Sequence, residues 1–187
     1  MGIEFELKFR ASADILAQMR EKIIGAEQEY RMETTYYDSP SHSLSAKRYT
    51  LRRRMENALS VCTLKTPAAG EGRFEHEIEC DSIEKAIPIL SKLSGKELPT
   101  EVVPVCGAKF TRIAKTVQLP QCTVEIALDL GVLTGGGKEI PLCEAEVELK
   151  EGSPEAARGY AAQLAIAFGL EPEPKSKFRR AMDLNSK

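Results

Sequence analysis

Several features that identify common protein classes are missing from this sequence of 187 residues. It has no tryptophan, and aromatic residues make up only 6% of the chain. Its five cysteines form no C-x-x-C pair, which argues against a disulfide framework and against a zinc site. No apolar run approaches the ~20 residues needed to cross a bilayer, and the N-terminus lacks the apolar core of a signal peptide. A cytoplasmic protein with reduced thiols and no membrane partner is therefore expected.

A large excess of charge of one sign is also missing. The 26 Lys and Arg residues nearly balance the 28 Asp and Glu residues, leaving a net charge of −2. Without a basic excess, a nucleic-acid partner is not expected. The 42% of apolar residues is enough for a core, and the length suits a single domain over residues 1–187. Any electrostatic function must therefore come from how the charges are arranged.

Capping signals and periodicity predict an α+β protein dominated by antiparallel strands. Three helices are predicted at residues 12–26, 82–95 and 153–169, each with a serine near its start and a glycine near its end. Nine segments read as strands: 3–10, 30–38, 48–56, 59–66, 73–80, 101–118, 121–131, 142–150 and 175–183. Long strands joined by short turns also permit the sheet to close into a barrel.

Charged side chains alternate with apolar ones along five of these strands. In the first, Glu4, Glu6 and Lys8 share one face, because residues two apart on a strand point the same way. The other charged faces carry Arg52 and Arg54; Arg73, Glu75, Glu77 and Glu79; Glu125 and Asp129; Glu144, Glu146 and Glu148. Any single strand of this kind is typical of a solvated sheet face. Whole faces of one sign are harder to explain that way, because like charges at this spacing repel unless a cation or an anionic ligand lies between them.

A closed sheet with its charged face inward would gather these groups into one cavity. Unpaired buried charges are costly, so water, metal and an anionic ligand would have to fill it. Carboxylates suit Mg²⁺ or Mn²⁺, and arginine forks suit phosphate oxygens. The pattern therefore favours a polyphosphate or a nucleoside triphosphate as the ligand.

Seven sequence elements, in order, resemble the CYTH superfamily, also called triphosphate tunnel metalloenzymes. The first is the E-x-E-x-K strand formed by Glu4, Glu6 and Lys8. The others are YYDSP from Tyr36, LRRR followed by TLK, GRFEHEIE, EIALDLG, CEAEVELKEG and KSKFRRA. Phe110 stands where the family pattern has a lysine, with Arg112 in its expected place.

This resemblance implies an eight-stranded antiparallel tunnel with helices packed outside, and metal-dependent hydrolysis of inorganic triphosphate to diphosphate and phosphate. The metal, Mg²⁺ or Mn²⁺, would be held by residues among Glu4, Glu6, Glu125, Asp129, Glu144, Glu146 and Glu148. Glu144, Glu146 and Glu148 compete for two ligand positions, for which the last two are favoured. Substrate phosphates would contact Lys8, Arg52, Arg54, Lys65, Arg73, Arg112, Lys177 and Arg180. Catalysis would involve Lys8, with Glu75 and Glu77 orienting the attacking water.

Other functions remain open from the sequence. Relatives with the same tunnel make cyclic AMP from ATP or cleave thiamine or nucleoside triphosphates, and the low aromatic content favours a substrate without a ring. A polyphosphate-binding module without catalysis is the non-enzymatic alternative, and a half-solvated sheet with no ligand is the simplest one. A homodimer is compatible with the sequence.

Overall fold

The structure, a computed structural model, describes residues 5–68 and 73–186. Its helices are α1 (Ala13–Lys22), α2 (Ser43–Ala46), α3 (Ile83–Ser94), α4 (Pro154–Phe168) and α5 (Lys177–Met182), with a 3-10 turn at Asp183–Ser186. Its strands are β1 (Glu6–Arg10), β2 (Ala26–Asp38), β3 (Thr50–Glu56), β4 (Leu59–Pro67), β5 (Arg73–Glu79), β6 (Val103–Gln118), β7 (Cys122–Gly135), β8 (Lys138–Gly152) and β9 (Glu171–Pro172). Within the described ranges, none of the helices has the length and apolar character needed to span a bilayer.

The strands form one antiparallel sheet in the order β5-β4-β3-β2-β6-β7-β8-β1-β9. The α+β class is confirmed, but the closed eight-stranded barrel is wrong, because the sheet has nine strands and its end strands do not pair in the part of the chain described. Closure would require β1 to pair with β5. Instead β9 lies on that edge of β1, where Phe9 is opposite Pro172 and Arg10 is opposite Glu171.

The three predicted helices are confirmed, with their capping residues. Ser12, Ser82 and Ser153 each accept a hydrogen bond from the backbone N–H three residues later, at 3.2, 3.3 and 3.2 Å. Gly95 and Gly169 end α3 and α4 with φ angles of 63° and 64°, which glycine adopts without a steric penalty. The first helix is shorter than expected and ends at Lys22, since β2 already begins at Ala26.

The C-terminal segment predicted as a strand over 175–183 is a helix. Ser176 caps α5 by accepting a hydrogen bond from the Arg179 backbone N–H at 3.2 Å. Ala181 on this helix is fully buried against the sheet. The sequence signal was ambiguous because a short run with mixed charges fits either period, and the packing of Ala181 favours the helix.

Apolar side chains on the outer face of the sheet pack beneath the longer helices. Under α1 and α4 the core includes Val124, Ile126 and Val147, and under α3 it includes Leu51 and Leu64. These residues alternate along their strands with the charged residues, so burying them turns the charged side chains to the opposite, inner face.

A buried carboxylate organises the turn between β2 and β3. Asp38 is fully buried and accepts hydrogen bonds from the backbone N–H groups of Ser39, Leu44 and Ser45, at 2.8, 2.9 and 3.0 Å. In Asp38→Ala these donors lose their acceptor, and we expect the free energy of unfolding to fall by about 2–4 kcal/mol. Urea unfolding would measure this. The exposed Asp14→Ala should change stability by less than about 0.5 kcal/mol, and equal losses in both variants would contradict the prediction.

Candidate active site

The inner face of the sheet surrounds a cavity of about 660 Å³, lined by residues of β1 to β8 and α5. The residues proposed from the sequence that line it are Glu6, Lys8, Arg52, Arg54, Lys65, Arg73, Glu75, Glu77, Arg112, Glu125, Glu146, Glu148 and Lys177. Asp129, Glu144 and Arg180 lie behind this surface and are not among the lining residues. Glu4 lies outside the described residues. The open sheet thus still gathers the charges that were expected in a closed one.

The wall formed by β3 carries two neighbouring arginines. Only 13% of the Arg52 side chain and 15% of the Arg54 side chain are exposed to solvent. Glu56 contacts Arg54. The Nε atom of Arg54 is buried and has no hydrogen-bond acceptor among the described residues. Burial, and then the Arg52 charge, lower the pKa of Arg54. A nearby anion would stabilise the charged form of an arginine in such surroundings.

Two glutamates on β5 face the same space. Glu75 lies 3.3 Å from Arg52 and 3.4 Å from Lys65, so it holds both cations at the cavity wall. Glu77 accepts a hydrogen bond from the Thr63 hydroxyl at 3.1 Å. The two carboxylates therefore have different surroundings, one between cations and the other beside a neutral hydroxyl.

A row of carboxylates crosses the opposite wall. Glu148 on β8 is directly opposite Glu6 on β1 and Glu125 on β7 in the strand register. Side chains at such positions lie about 5 Å apart at their Cβ atoms, and like charges there repel. Lys8 lies 3.3 Å from Glu6, and Lys150 lies 2.9 Å from Glu148. This acidic row offers hard oxygen ligands at the cavity surface, and its donor chemistry fits a divalent cation.

A second acidic group lies deeper, where Asp129, Glu144 and Glu146 bring one oxygen each within 4.8 Å of one another. Every oxygen of this inner cluster contacts a cation. Arg112 donates to both oxygens of Asp129 at 2.7 Å and to Glu146 at 2.5 Å. Lys177 lies 2.8 Å from Asp129 and 2.6 Å from Glu146, and it also contacts Glu144. The second oxygen of Glu144 accepts from Arg180.

The ionisable side chains of the inner cluster shift one another's pKa values. Burial alone would raise the pKa of Glu146, but Lys177 and Arg112 outweigh it and hold this pKa well below its ordinary value. Burial raises the pKa of Glu144 to about 7. Burial opposes the charge of Lys177, yet Asp129, Glu146 and Glu144 raise its pKa above the ordinary value. The formal charges of three carboxylates and of Arg112, Lys177 and Arg180 cancel. This cluster has the oxygen donors for a metal, but in this structure its oxygens bind cationic side chains.

Some lining residues were not selected from the sequence. Glu56 and Lys150 follow Arg54 and Glu148 by two positions, so the same alternation could have identified both. Phe110, in place of the expected lysine, lines the cavity with its ring centre 5.5 Å from Lys177 Nζ and 5.8 Å from Arg112 Cζ, within cation–π range.

A comparison with protein families decides the affiliation of this chain. The CYTH domain family matches residues 2–182, nearly the whole sequence. The chain belongs to the CYTH domain family. The family resemblance noted in the sequence is thereby confirmed.

Individual relatives of this CYTH domain share less than a third of its residues. An inorganic triphosphatase of Haemophilus influenzae is 29% identical over 195 residues, an alignment that covers 98% of this chain and 55% of the relative. The chain thus spans about half the length of that curated relative. A solved structure from Hippeastrum, described as an adenylyl cyclase with a dominant triphosphatase activity, has a TM-score of 0.70 at 20% identity, covering 96% of this chain and 95% of its own. A Pyrococcus horikoshii OT3 protein has a TM-score of 0.68 at 24% identity, covering 96% and 98%. At these identities the two structures show the shared fold alone.

Proposed function

We propose that this CYTH domain hydrolyses inorganic triphosphate to diphosphate and phosphate within the cavity, in a metal-dependent reaction. The observation that carries the proposal is the pair Arg52 and Arg54, buried side by side, with no acceptor for the Arg54 Nε among residues 5–68 and 73–186. The Haemophilus influenzae relative, an inorganic triphosphatase, supports the same substrate. Guanidinium forks match phosphate oxygens, and a phosphate chain supplies the charge that relieves the repulsion between the arginines.

The acidic row would hold Mg²⁺ or Mn²⁺ through Glu6, Glu125 and Glu148, together with Glu4 beyond the described residues. These side chains reach the cavity, whereas Asp129 and Glu144 of the inner cluster are fully buried against cations. The candidate ligands from the sequence thus divide into a row at the cavity surface and a cluster in contact with Lys177. A divalent cation there would neutralise phosphate oxygens.

Substrate phosphates would lie between the two walls. Lys8, Lys65, Arg73, Arg112 and Lys177 surround the same cavity as the two arginines and would bind the remaining oxygens. Glu75 already contacts Arg52 and Lys65, so its role would be to orient them. Glu77 contacts Thr63 through one oxygen, so it would orient the attacking water through the other.

Neighbouring arginines on β3 supply a matched test. Arg54 lines the cavity, whereas Arg53 points to the other face and donates to the Ser60 hydroxyl at 2.9 Å. We expect Arg54→Ala to lower kcat/KM for tripolyphosphate with Mn²⁺ by about 100-fold, as for other donors to developing negative charge. Arg53→Ala should stay within about threefold of the parent, because the half-buried Arg53 side chain lies on the opposite face of the sheet and is not among the cavity-lining residues. Phosphate release would measure both, and equal activity of the two variants would contradict the proposal.

A triphosphate carrying an organic ring is the second candidate. Tyr30, Met32 and Phe110 line the cavity and give it an apolar side that a ring could contact. A panel of tripolyphosphate, ATP and thiamine triphosphate, with assays for phosphate and cyclic AMP, would separate hydrolysis from cyclisation. Tight binding of long polyphosphate without phosphate release would instead support a binding module.

A further inference from the structure

Helix α5 brings two cations of the inner cluster to the carboxylates. Lys177 stands at its first residue and contacts all three acids, and Arg180, one turn later, contacts Glu144. Because the helix has only six residues, its own hydrogen bonds cannot fix its position. The place of Lys177 in the cavity is therefore set by whatever α5 packs against.

One side of α5 packs on the core of the sheet. Ala181 is fully buried in a cluster with Met32, Phe110 and Leu133. Phe178 packs against Tyr36 in a tilted arrangement, with ring centres 5.1 Å apart. These contacts prevent α5 from moving deeper toward the sheet.

The hairpin between β7 and β8 touches the C-terminal end of the same helix. A Cβ atom added at Gly135 would lie 2.3 Å from the backbone oxygen of Ala181 and 3.2 Å from the Asn185 side-chain oxygen. The φ angle of Gly135 is not in the left-handed region, so close approach, and not backbone conformation, requires glycine there. Asn185 in turn donates to the Val105 carbonyl on β6 at 3.0 Å.

Displacement at Ala181 would be transmitted to Lys177. The two residues are four positions apart and thus lie on the same side of the helix, one turn from each other. The contacts of Lys177 with Asp129 and Glu146, at 2.8 and 2.6 Å, leave little room for a shift. A side chain at position 135 must move either the helix or the hairpin.

We infer that Gly135 and Asn185 are positioning residues, which hold α5 so that Lys177 reaches the inner cluster and the cavity. The inference rests on the proposed triphosphatase function. It assigns a catalytic consequence to the turn between β7 and β8 at residues 135–137, which are not among the residues lining the cavity.

The test compares Gly135→Ala with Gly159→Ala, whose added Cβ would meet nothing within 4 Å. With tripolyphosphate and Mn²⁺, Gly135→Ala should lower kcat by about 10–100-fold, since a misplacement of about 1 Å can have an effect of that size. KM should change less than about threefold, because the contact between Lys177 and the phosphate oxygens is lost mainly in the transition state. Gly159→Ala should retain the parental kcat. A merely structural role would lower only the folded fraction, which circular dichroism measures.

A double-mutant cycle sharpens the test. If Gly135 acts through Lys177, adding Gly135→Ala to Lys177→Met should change kcat by less than about twofold, because coupled residues are not additive. Asn185→Ala removes an exposed hydrogen bond and should also lower kcat more than it changes KM, with a smaller loss of kcat than Gly135→Ala. If Gly135→Ala does not fold, the kinetics of Asn185→Ala test the inference.

The experiments distinguish failure of the proposed function from failure of the inference about Gly135 and Asn185. A parent that neither binds nor cleaves tripolyphosphate overturns the proposed function, and the inference with it. An active parent whose folded Gly135→Ala and Asn185→Ala variants keep parental kcat overturns the inference alone, as does full additivity with Lys177→Met.

Discussion

Lys177→Met should lose about 1,000-fold in kcat/KM for tripolyphosphate, in the range of other cations that stabilise phosphoryl transfer. It should also lower the free energy of unfolding by about 3–5 kcal/mol, because removing one partner leaves buried charges uncompensated. Lys177 is the cation shared by Asp129, Glu144 and Glu146. Steady-state kinetics and urea unfolding would measure the two effects.

Lys175→Met is the matched control for this substitution. Lys175 is 56% exposed and pairs with Asp183 at 2.7 Å, two positions before Lys177. An exposed ion pair contributes at most about 1 kcal/mol, and Lys175 does not line the cavity. Its variant should therefore retain activity and nearly all of its stability. If Lys177→Met resembled Lys175→Met in both measurements, the role given to the inner cluster would be wrong.

Glu148→Gln should weaken Mn²⁺ binding by more than about 100-fold, since even outer partners of metal ligands contribute about 10–100-fold. Tripolyphosphate hydrolysis should fall with it, and a chelator should abolish the activity of the parent. Glu148 is central in the acidic row, directly opposite both Glu6 and Glu125. Its substitution therefore removes the carboxylate that lies between the other two proposed metal ligands. Titration calorimetry with Mn²⁺ alone would measure affinity independently of catalysis.

Two further variants make the metal experiment decisive. Glu151→Gln, at the exposed end of β8, should bind Mn²⁺ like the parent. Asp129→Asn changes the inner cluster and should lower stability while leaving Mn²⁺ affinity within about threefold, because its partners are Arg112 and Lys177. The reverse result, with Mn²⁺ affinity lost in Asp129→Asn and kept in Glu148→Gln, would place the metal in the inner cluster.

The alternation of charged and apolar residues predicted most of the cavity. Arg52 and Arg54 face inward while Leu51 is buried outside, and Glu146 and Glu148 face inward while Val147 is buried outside. Such faces follow from the two-residue period of a strand alone. The same rule applied two positions further would have added Glu56 and Lys150.

The alternation could not separate the acidic residues by role. Asp129 and Glu125 share one strand face, yet Asp129 is fully buried against Arg112 and Lys177 while Glu125 lies at the cavity surface near Lys150. Their difference depends on which strand and which helix lie opposite, and these neighbours are distant in sequence.

Local sequence alone determined the presence of strands β1 to β8, where α1, α3 and α4 begin, and which charges face inward, because capping and alternation act between residues a few positions apart. The tertiary structure alone decided that the sheet stays open with β9 on the β1 edge, and that residues 177–182 form a helix. Both depend on contacts between segments far apart in the chain. For the same reason, only the packed chain could bring Lys177 to Asp129, Glu144 and Glu146.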